Sequence, residues 1–167
     1  MEIKSIYIIA QMRKAKIITA RNPAEIALVR ELFREYADST GLNLCFQHFD
    51  EELLTLPGKY GEPLGRLYLL WDGVEVAACG ALRPFSDDVA EMKRLYVRPH
   101  FRKRGYGRML SEKLITEARI IGYGAIYLDT LASMLAARSL YATLGFVDTG
   151  PYYNNPLPDI CYLKLDL

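Results

Sequence analysis

The chain has 167 residues, 51% of them hydrophobic and 25% charged, and its 21 basic and 20 acidic side chains leave a formal charge of +1. That is the size of one domain, able to bury roughly 70% of its unfolded surface without a disulfide or metal staple. The charge balance excludes a protein given over to coating nucleic acid or an anionic membrane, and no apolar run approaches the roughly 18–20 residues of a membrane span.

Residues 1–14 read as an N-terminal extension or an extra strand. Ile6-Tyr7-Ile8-Ile9-Ala10 is apolar, but Gln11-Met12-Arg13-Lys14 cuts it too short for a secretory signal, so no targeting signal is expected. From residue 15 to residue 167 the pattern is that of a single domain. Ala15–Ala20 is a short β-branched strand. Asn22-Pro23-Ala24-Glu25 opens a helix, with Asn at the cap, Pro at the first helical position and Glu three residues after the cap. Its apolar stripe is Ile26, Val29, Leu32, Phe33 and Tyr36, and Gly41 ends it. Asp50 is expected to cap a shorter helix through Leu56, and the Pro- and Gly-rich stretch from Pro57 to Gly65 is loop.

A hairpin follows: Arg66–Trp71, a two-residue turn at Asp72-Gly73, and Val74–Leu82. Val89–Val97 is a fourth strand. Strict alternation puts Met92, Arg94 and Tyr96 on one face and Glu91, Lys93, Leu95 and Val97 on the other. A helix from about Gly107 to Ile121, a strand over Ala125–Thr130, and a helix capped by Ser133 and running to Leu144 come next. Phe146–Thr149 and Ile160–Leu167 are the last two strands. Antiparallel hairpins with one helical crossover predict an α/β fold around a mixed, mostly antiparallel sheet. The three cysteines, Cys45, Cys79 and Cys161, are scattered and have no Cys-x-x-Cys pairing; they read as reduced thiols in a cytoplasmic protein. With only His48 and His100 in the chain, a metal site finds no support.

The chemistry concentrates in Arg98-Pro99-His100-Phe101-Arg102-Lys103-Arg104-Gly105-Tyr106-Gly107, between a strand and a helix. A helix N-terminus leaves about four backbone N–H groups without partners and carries roughly half a positive charge. Gly105 and Gly107 let a diphosphate approach that backbone closely, and Arg98, Arg102, Lys103, Arg104 and Arg108 supply counter-charge. A solvated basic loop and a nucleic-acid patch are the competing readings. The dinucleotide fingerprint GxGxxG does not fit, because one of its three glycines is missing.

Glu91-Met92-Lys93-Arg94-Leu95-Tyr96-Val97, followed by Arg102-x-x-Gly105-x-Gly107, resembles motif A of the GNAT acetyltransferases. Leu140-Tyr141-Ala142-Thr143-Leu144-Gly145-Phe146 resembles motif B of the same family, so the likeness covers about residues 15–167. The resemblance implies a GNAT-like single domain whose parallel strands Val89–Val97 and Ala125–Thr130 splay apart around acetyl-CoA. The pantetheine arm would pair with the backbone of Leu95, Tyr96 and Val97. The diphosphate would sit on Arg102, Lys103, Arg104, Gly105, Tyr106, Gly107 and Arg108. Where the family often places an Asn at the start of the motif B helix this chain has Met134, so that contact would be either lost or taken over by Ser133 or Arg138.

By the same resemblance the Val97 N–H stabilises the oxyanion and Tyr141 protonates the leaving thiolate. Phenol and thiol differ by about 1.5 in pKa, which makes that transfer uphill by about 2 kcal/mol before the surroundings act; packing the helix on the sheet is the plain alternative for Tyr141. Glu91 is the candidate base, directly or through a water; a Glu91–Lys93 surface pair is the competing reading, and Asp129 is the reserve. The acceptor, a primary amine of a small molecule or protein, would lie among Phe49, His48, Tyr60, Arg83, Tyr152, Tyr153 and Asn154, with Arg83 placed to hold a carboxylate or to pair with Asp87 or Asp88. An acyl-CoA-binding regulatory module without catalysis is the alternative function. A homodimer through the terminal strands or residues 1–14 stays open.

Overall fold

The computed structural model describes residues 15–41 and 48–167. The expectations for residues 1–14 and for Cys45 lie outside them. In chain order the elements are β1 (Lys16–Thr19), α1 (Pro23–Thr40), α2 (Phe49–Thr55), a 3-10 turn (Gly58–Tyr60), β2 (Arg66–Asp72), β3 (Glu75–Pro84) and β4 (Val89–Val97). A second 3-10 turn (Pro99–Phe101) leads to α3 (Tyr106–Ile121), β5 (Ala125–Leu131), α4 (Leu135–Thr143), β6 (Val147–Thr149) and β7 (Ile160–Asp166). The strands form one seven-stranded sheet in the order β1-β2-β3-β4-β5-β7-β6, antiparallel throughout except for β4 beside β5.

Each face of the sheet carries its own core. On one side α1 and α2 bury Val29, Leu32, Phe33 and Leu53 against Leu67, Leu69 and Cys79. On the other, α3 buries Leu110, Leu114 and Ala118 against Leu70, Ala78 and Ile126, and α4 adds Tyr141. Helix α1 starts as its sequence dictates: Asn22 Oδ1 accepts from the Glu25 N–H at 2.9 Å and Glu25 Oε2 accepts from the Asn22 N–H at 3.1 Å. It stops at Gly41, whose φ of 64° is left-handed.

Four local readings are corrected. Helix α2 is capped by His48, not Asp50, which lies in its first turn. Met134, not Ser133, precedes the first residue of α4, and the helix ends at Thr143. In the β2–β3 hairpin Asp72 still pairs with Glu75, so the turn residues are Gly73 and Val74, with Gly73 supplying the positive φ. Most consequential is a bulge in β4. Tyr96 pairs with Cys79 but Lys93 pairs with Ala81, so β4 fits one extra residue in, and Arg94 takes φ 57° to do so. Strict alternation therefore fails. Lys93 and Arg94 both turn to the α1/α2 face with Glu91 and Tyr96, while Met92, Leu95 and Val97 face α3.

Candidate active site

The site starts where β4 and β5 part. Their backbones pair only over Val89–Glu91 and Ala125–Tyr127. Beyond that the strands fork, and a narrow cleft opens between them, lined by Tyr36, Leu95, Asp129, Met134 and Tyr141 among others. The Arg98 N–H donates to the Ala77 carbonyl at 2.9 Å. Val97 thus occupies the non-bonded position of the antiparallel ladder, opposite Ala78, and its N–H and C=O turn away from β3 toward the fork; two residues back, the Arg94 carbonyl accepts from Cys79 Sγ of β3 at 3.4 Å, so the Leu95 N–H, on the other side of that planar peptide, also points away from β3. Tyr141, from α4, is buried at the cleft wall with its ring 5.6 Å from Phe146. Burial, reinforced by Tyr36 and by the negative charge of Asp129, pushes its phenol well above the usual tyrosine range, so it keeps its proton and stands as a donor.

At the wide end of the fork lies the basic loop. Gly105, with φ 82°, is the residue before α3, and a Cβ there would meet nothing within 4 Å. A Cβ on Gly107 would point between Leu140, at 3.5 Å, and Val97, at 3.9 Å, into the fork. The cations divide into two sets. Arg102 donates from Nε to the Val97 carbonyl at 3.2 Å and Lys103 has no ion-pair partner among the described residues, so both charges remain available. The rest are engaged. Arg104 and the Tyr106 hydroxyl both bind Asp72 Oδ2 at 2.7 Å, Arg108 bridges to Thr143 at 2.6 Å, and Arg98 pairs with Glu35 and Glu31 on α1. Arg98 is thus a strut and not a counter-charge for a ligand. Ser133 lies in the β5–α4 turn, Arg138 donates to the Ala132 carbonyl at 3.4 Å, and Met134 fills the cleft wall with its sulfur 3.6 Å from the Thr130 hydroxyl.

On the α2 side of the fork is a second, larger cavity of about 430 Å³, lined by His48, Glu52, Lys59, Tyr60, Arg83, Glu91, Lys93, Tyr153 and Asn154 among others. Lys93 lines both cavities. Had the strands stayed paired, Lys93 would oppose Asp129; instead its Nζ lies 3.5 Å from Asp129 Oδ1, an ion pair across the fork in place of the lost ladder. Glu91 is 1% exposed and fully engaged: Oε2 takes Arg83 at 2.7 Å, while Oε1 takes the Tyr152 hydroxyl at 3.0 Å and Lys93 at 3.4 Å. The Glu91–Lys93 pair exists, buried and not on the surface, and Arg83 pairs with Glu91 and with neither Asp87 nor Asp88. Asp129 Oδ2 accepts from Tyr153 at 2.9 Å, so the strap 150–159 latches one phenol onto each carboxylate beside Lys93.

Beneath this lies an ion pair that sequence spacing does not reveal. Glu52, on α2, receives Arg94 through both Nε (2.9 Å) and Nη2 (2.7 Å), and the Tyr60 hydroxyl at 2.8 Å. Burial opposes ionisation of Glu52, but the Arg94 bonds and charge outweigh it and hold its carboxyl below the usual range. Phe49, expected among the acceptor residues, does not line this larger cavity; it is buried, with the Arg94 guanidinium 5.1 Å over its ring. Tyr152 also stays out of the cavity lining, packed on Phe85, Tyr127 and Tyr162, and reaches the site only through its hydroxyl. Tyr36, Lys93, Glu52 and Arg94 belong to the site although their spacing along the chain does not point to it. Tyr36 reads as one more member of an apolar stripe, and the other three meet only through the bulge and a separation of about 40 residues in sequence.

A profile of the acetyltransferase (GNAT) family matches residues 26–146. An uncharacterized N-acetyltransferase of Schizosaccharomyces pombe is 37% identical over 153 residues, covering 90% of this chain and 94% of its own. The N-acetylaspartate synthetase of Danio rerio is 30% identical over 73% of this chain and 43% of its own length. In fold, the chain superposes with a TM-score of 0.71 on yncA of Salmonella typhimurium, solved with its cofactor acetyl-CoA, at 18% identity over 91% of this chain and 93% of that one. The forked sheet, the matched profile and these relatives agree: the chain belongs to the acetyltransferase (GNAT) family and is an N-acetyltransferase.

Proposed function

We propose that this enzyme moves an acetyl group from acetyl-CoA to a primary amine by direct attack while both substrates are bound. The fork carries the reading. It is a cleft with unpaired strand backbone on one wall, a cationic helix start at one end and a separate polar cavity opening beside it. The residues present fit acetyl-CoA. Leu95 and Val97 offer a strand edge to an amide-bearing arm, and the N–H groups at Gly105–Gly107 with Arg102 and Lys103 suit a diphosphate. Acetyl-CoA supplies an activated thioester. The chain's part is to orient, to hold charge and to move two protons.

The N–H groups of Leu95 and Val97 are aimed where negative charge develops on a carbonyl oxygen. Tyr141 holds a proton at the cleft wall for a departing sulfur. For the amine proton, Glu91 is poorly placed, since both of its oxygens are saturated by Arg83, Lys93 and Tyr152. We read Glu91 as the group that positions those two cations. Asp129 is the better base: its Oδ1 has a single partner, Lys93 at 3.5 Å, and it lies on the cleft wall. Free thiols at Cys79 and Cys161 suit a cytoplasmic location.

Thermal unfolding with acetyl-CoA, against ATP and NAD as controls, tests the reading. At about 100 times its dissociation constant a ligand adds about 2.7 kcal/mol, a rise of roughly 5–10 °C for a domain of this size. A rise specific to acetyl-CoA, with acetyl transfer over an amine panel, is the expected result; no rise on folded protein overturns it.

A further inference from the structure

The cavity beside the fork has more hydrogen-bond donors than its own acceptors use. Arg83 directs Nε and Nη2 at one oxygen of Glu91, which leaves Nη1 without a partner among the described residues. Lys59, on the turn Gly58–Tyr60 at the cavity wall, has no partner among them either. The carboxylates at the floor of this cavity are already satisfied: Glu52 by Arg94 and Tyr60, and Glu91 by Arg83, Lys93 and Tyr152. Glu51 stands at the rim, 75% exposed and 3.9 Å from His48, where water screens it. What an incoming molecule meets is therefore a fixed guanidinium edge and a mobile ammonium. Arg83 cannot swing away, because Glu91, almost without exposure, holds it.

The placement along the sheet sets the shape of the ligand. Arg83 is the direct cross-strand partner of Glu91, and Lys93 marks the opening into the acetyl cleft two residues further along β4. β4 separates Arg83 on β3 from Asp129 on β5, two strand spacings of about 4.8 Å, but their side chains close that gap through a run of short contacts, Arg83 to Glu91 at 2.7 Å, Glu91 to Lys93 at 3.4 Å and Lys93 to Asp129 at 3.5 Å, so an anion on Arg83 and an amine at the fork belong to one small molecule. Resting on the acetyltransferase reading above, we infer that the acceptor is a free amino acid, its amine delivered to the fork beside Asp129 and Lys93 and its carboxylate held by Arg83 and Lys59. The cavity volume of about 430 Å³ accommodates such a molecule.

The test compares each L-amino acid with its decarboxylated amine as acceptor, read as kcat/KM with acetyl-CoA held saturating. The expected result is a preference for carboxylate-bearing acceptors of at least about tenfold, expressed in KM. Lys59→Met and Arg83→Met shrink that ratio toward one. Lys59→Met, on an exposed turn, keeps the test valid if Arg83→Met unfolds by stripping Glu91 of a partner. Calorimetric titration of the preferred amino acid into enzyme without acetyl-CoA gives a second readout, with weaker binding in Lys59→Met. Equal or reversed preference with transfer intact overturns the carboxylate site and leaves the acetyltransferase reading standing. Failure of acetyl-CoA to stabilise the protein, with no transfer to any amine, removes that reading and this inference together.

Discussion

Lys93 is the residue on which both cavities meet, and its two carboxylate partners are not equivalent. Glu91 is closed in by three donors, whereas Asp129 keeps an oxygen toward the fork with one long ion pair. Asp129→Asn is therefore expected to lower kcat by about 10²-fold or more while the protein still binds acetyl-CoA. Glu91→Gln, by contrast, should act mainly through KM for the acceptor and a lower melting temperature, because it loosens Arg83 and Lys93. Steady-state kinetics with calorimetric titration of acetyl-CoA separates the two; a larger kcat loss in Glu91→Gln than in Asp129→Asn reverses the assignment. Tyr141 makes the complementary prediction. Its buried phenol keeps its proton at working pH, so Tyr141→Phe removes a donor without opening a cavity. Turnover should fall by about tenfold or more with acetyl-CoA affinity nearly unchanged, and unchanged turnover would leave Tyr141 a packing residue.

At the scale of elements, the cavity proposed for the acceptor depends on one close backbone approach. A Cβ on Gly65 would come within 2.5 Å of the Lys59 carbonyl oxygen and of the Tyr60 carbonyl carbon, both backbone atoms that cannot step aside as a side chain tip can. Gly65→Ala is thus expected to push the turn Gly58–Tyr60 outward and carry Lys59 and Tyr60 away from Arg83 and Glu52. Acceptor KM should rise while acetyl-CoA binding at the far end of the fork holds; loss of acetyl-CoA binding as well would mean the strain spreads through the sheet. That glycine gave no sign of its role in the sequence, where it is one of three in a loop. The helices and strands were legible because their signals are local: the Asn22–Glu25 capping box, Gly41 at a helix end, and period-two apolar patterns. The bulge was not, since an arginine with a positive φ carries no local signature and is held there by Glu52 from a distant helix. The candidate cradle and Tyr141 stand out as motifs because their residues are contiguous in the chain. The acceptor side was readable only as a set of candidates, because its geometry follows from the bulge, the fork and the strap 150–159 together.

Across the whole molecule, charged pairs join the helices to the sheet on both faces. Glu52 of α2 holds Arg94 of β4, Glu35 of α1 holds Arg98 past the end of β4, and on the opposite face Glu117 of α3 holds Arg66 of β2 at 2.7 Å. The Glu117 carboxyl lies below the usual range, chiefly through its bond from Lys113, against some burial and with Arg66 assisting. Glu52 lies below it as well, by the Arg94 contacts that overcome its burial. A carboxyl whose pKa is lower folded than unfolded adds stability that is complete above its unfolded value, about 4.3 for glutamate, and is lost as pH falls through the folded value. Stability should therefore hold on the neutral side and decline once pH drops below about 4, read as the urea midpoint across a pH series. Glu52→Gln gives this a sharper form. Near neutral pH it leaves the buried Arg94 without its counter-ion, a loss on the order of 3–5 kcal/mol. In acid the native glutamate is itself protonated and resembles glutamine, so the gap between the two proteins should narrow as pH falls. A gap that stays constant across the series would mean that Glu52 stabilises the fold through shape and hydrogen bonding, and that its charge contributes nothing.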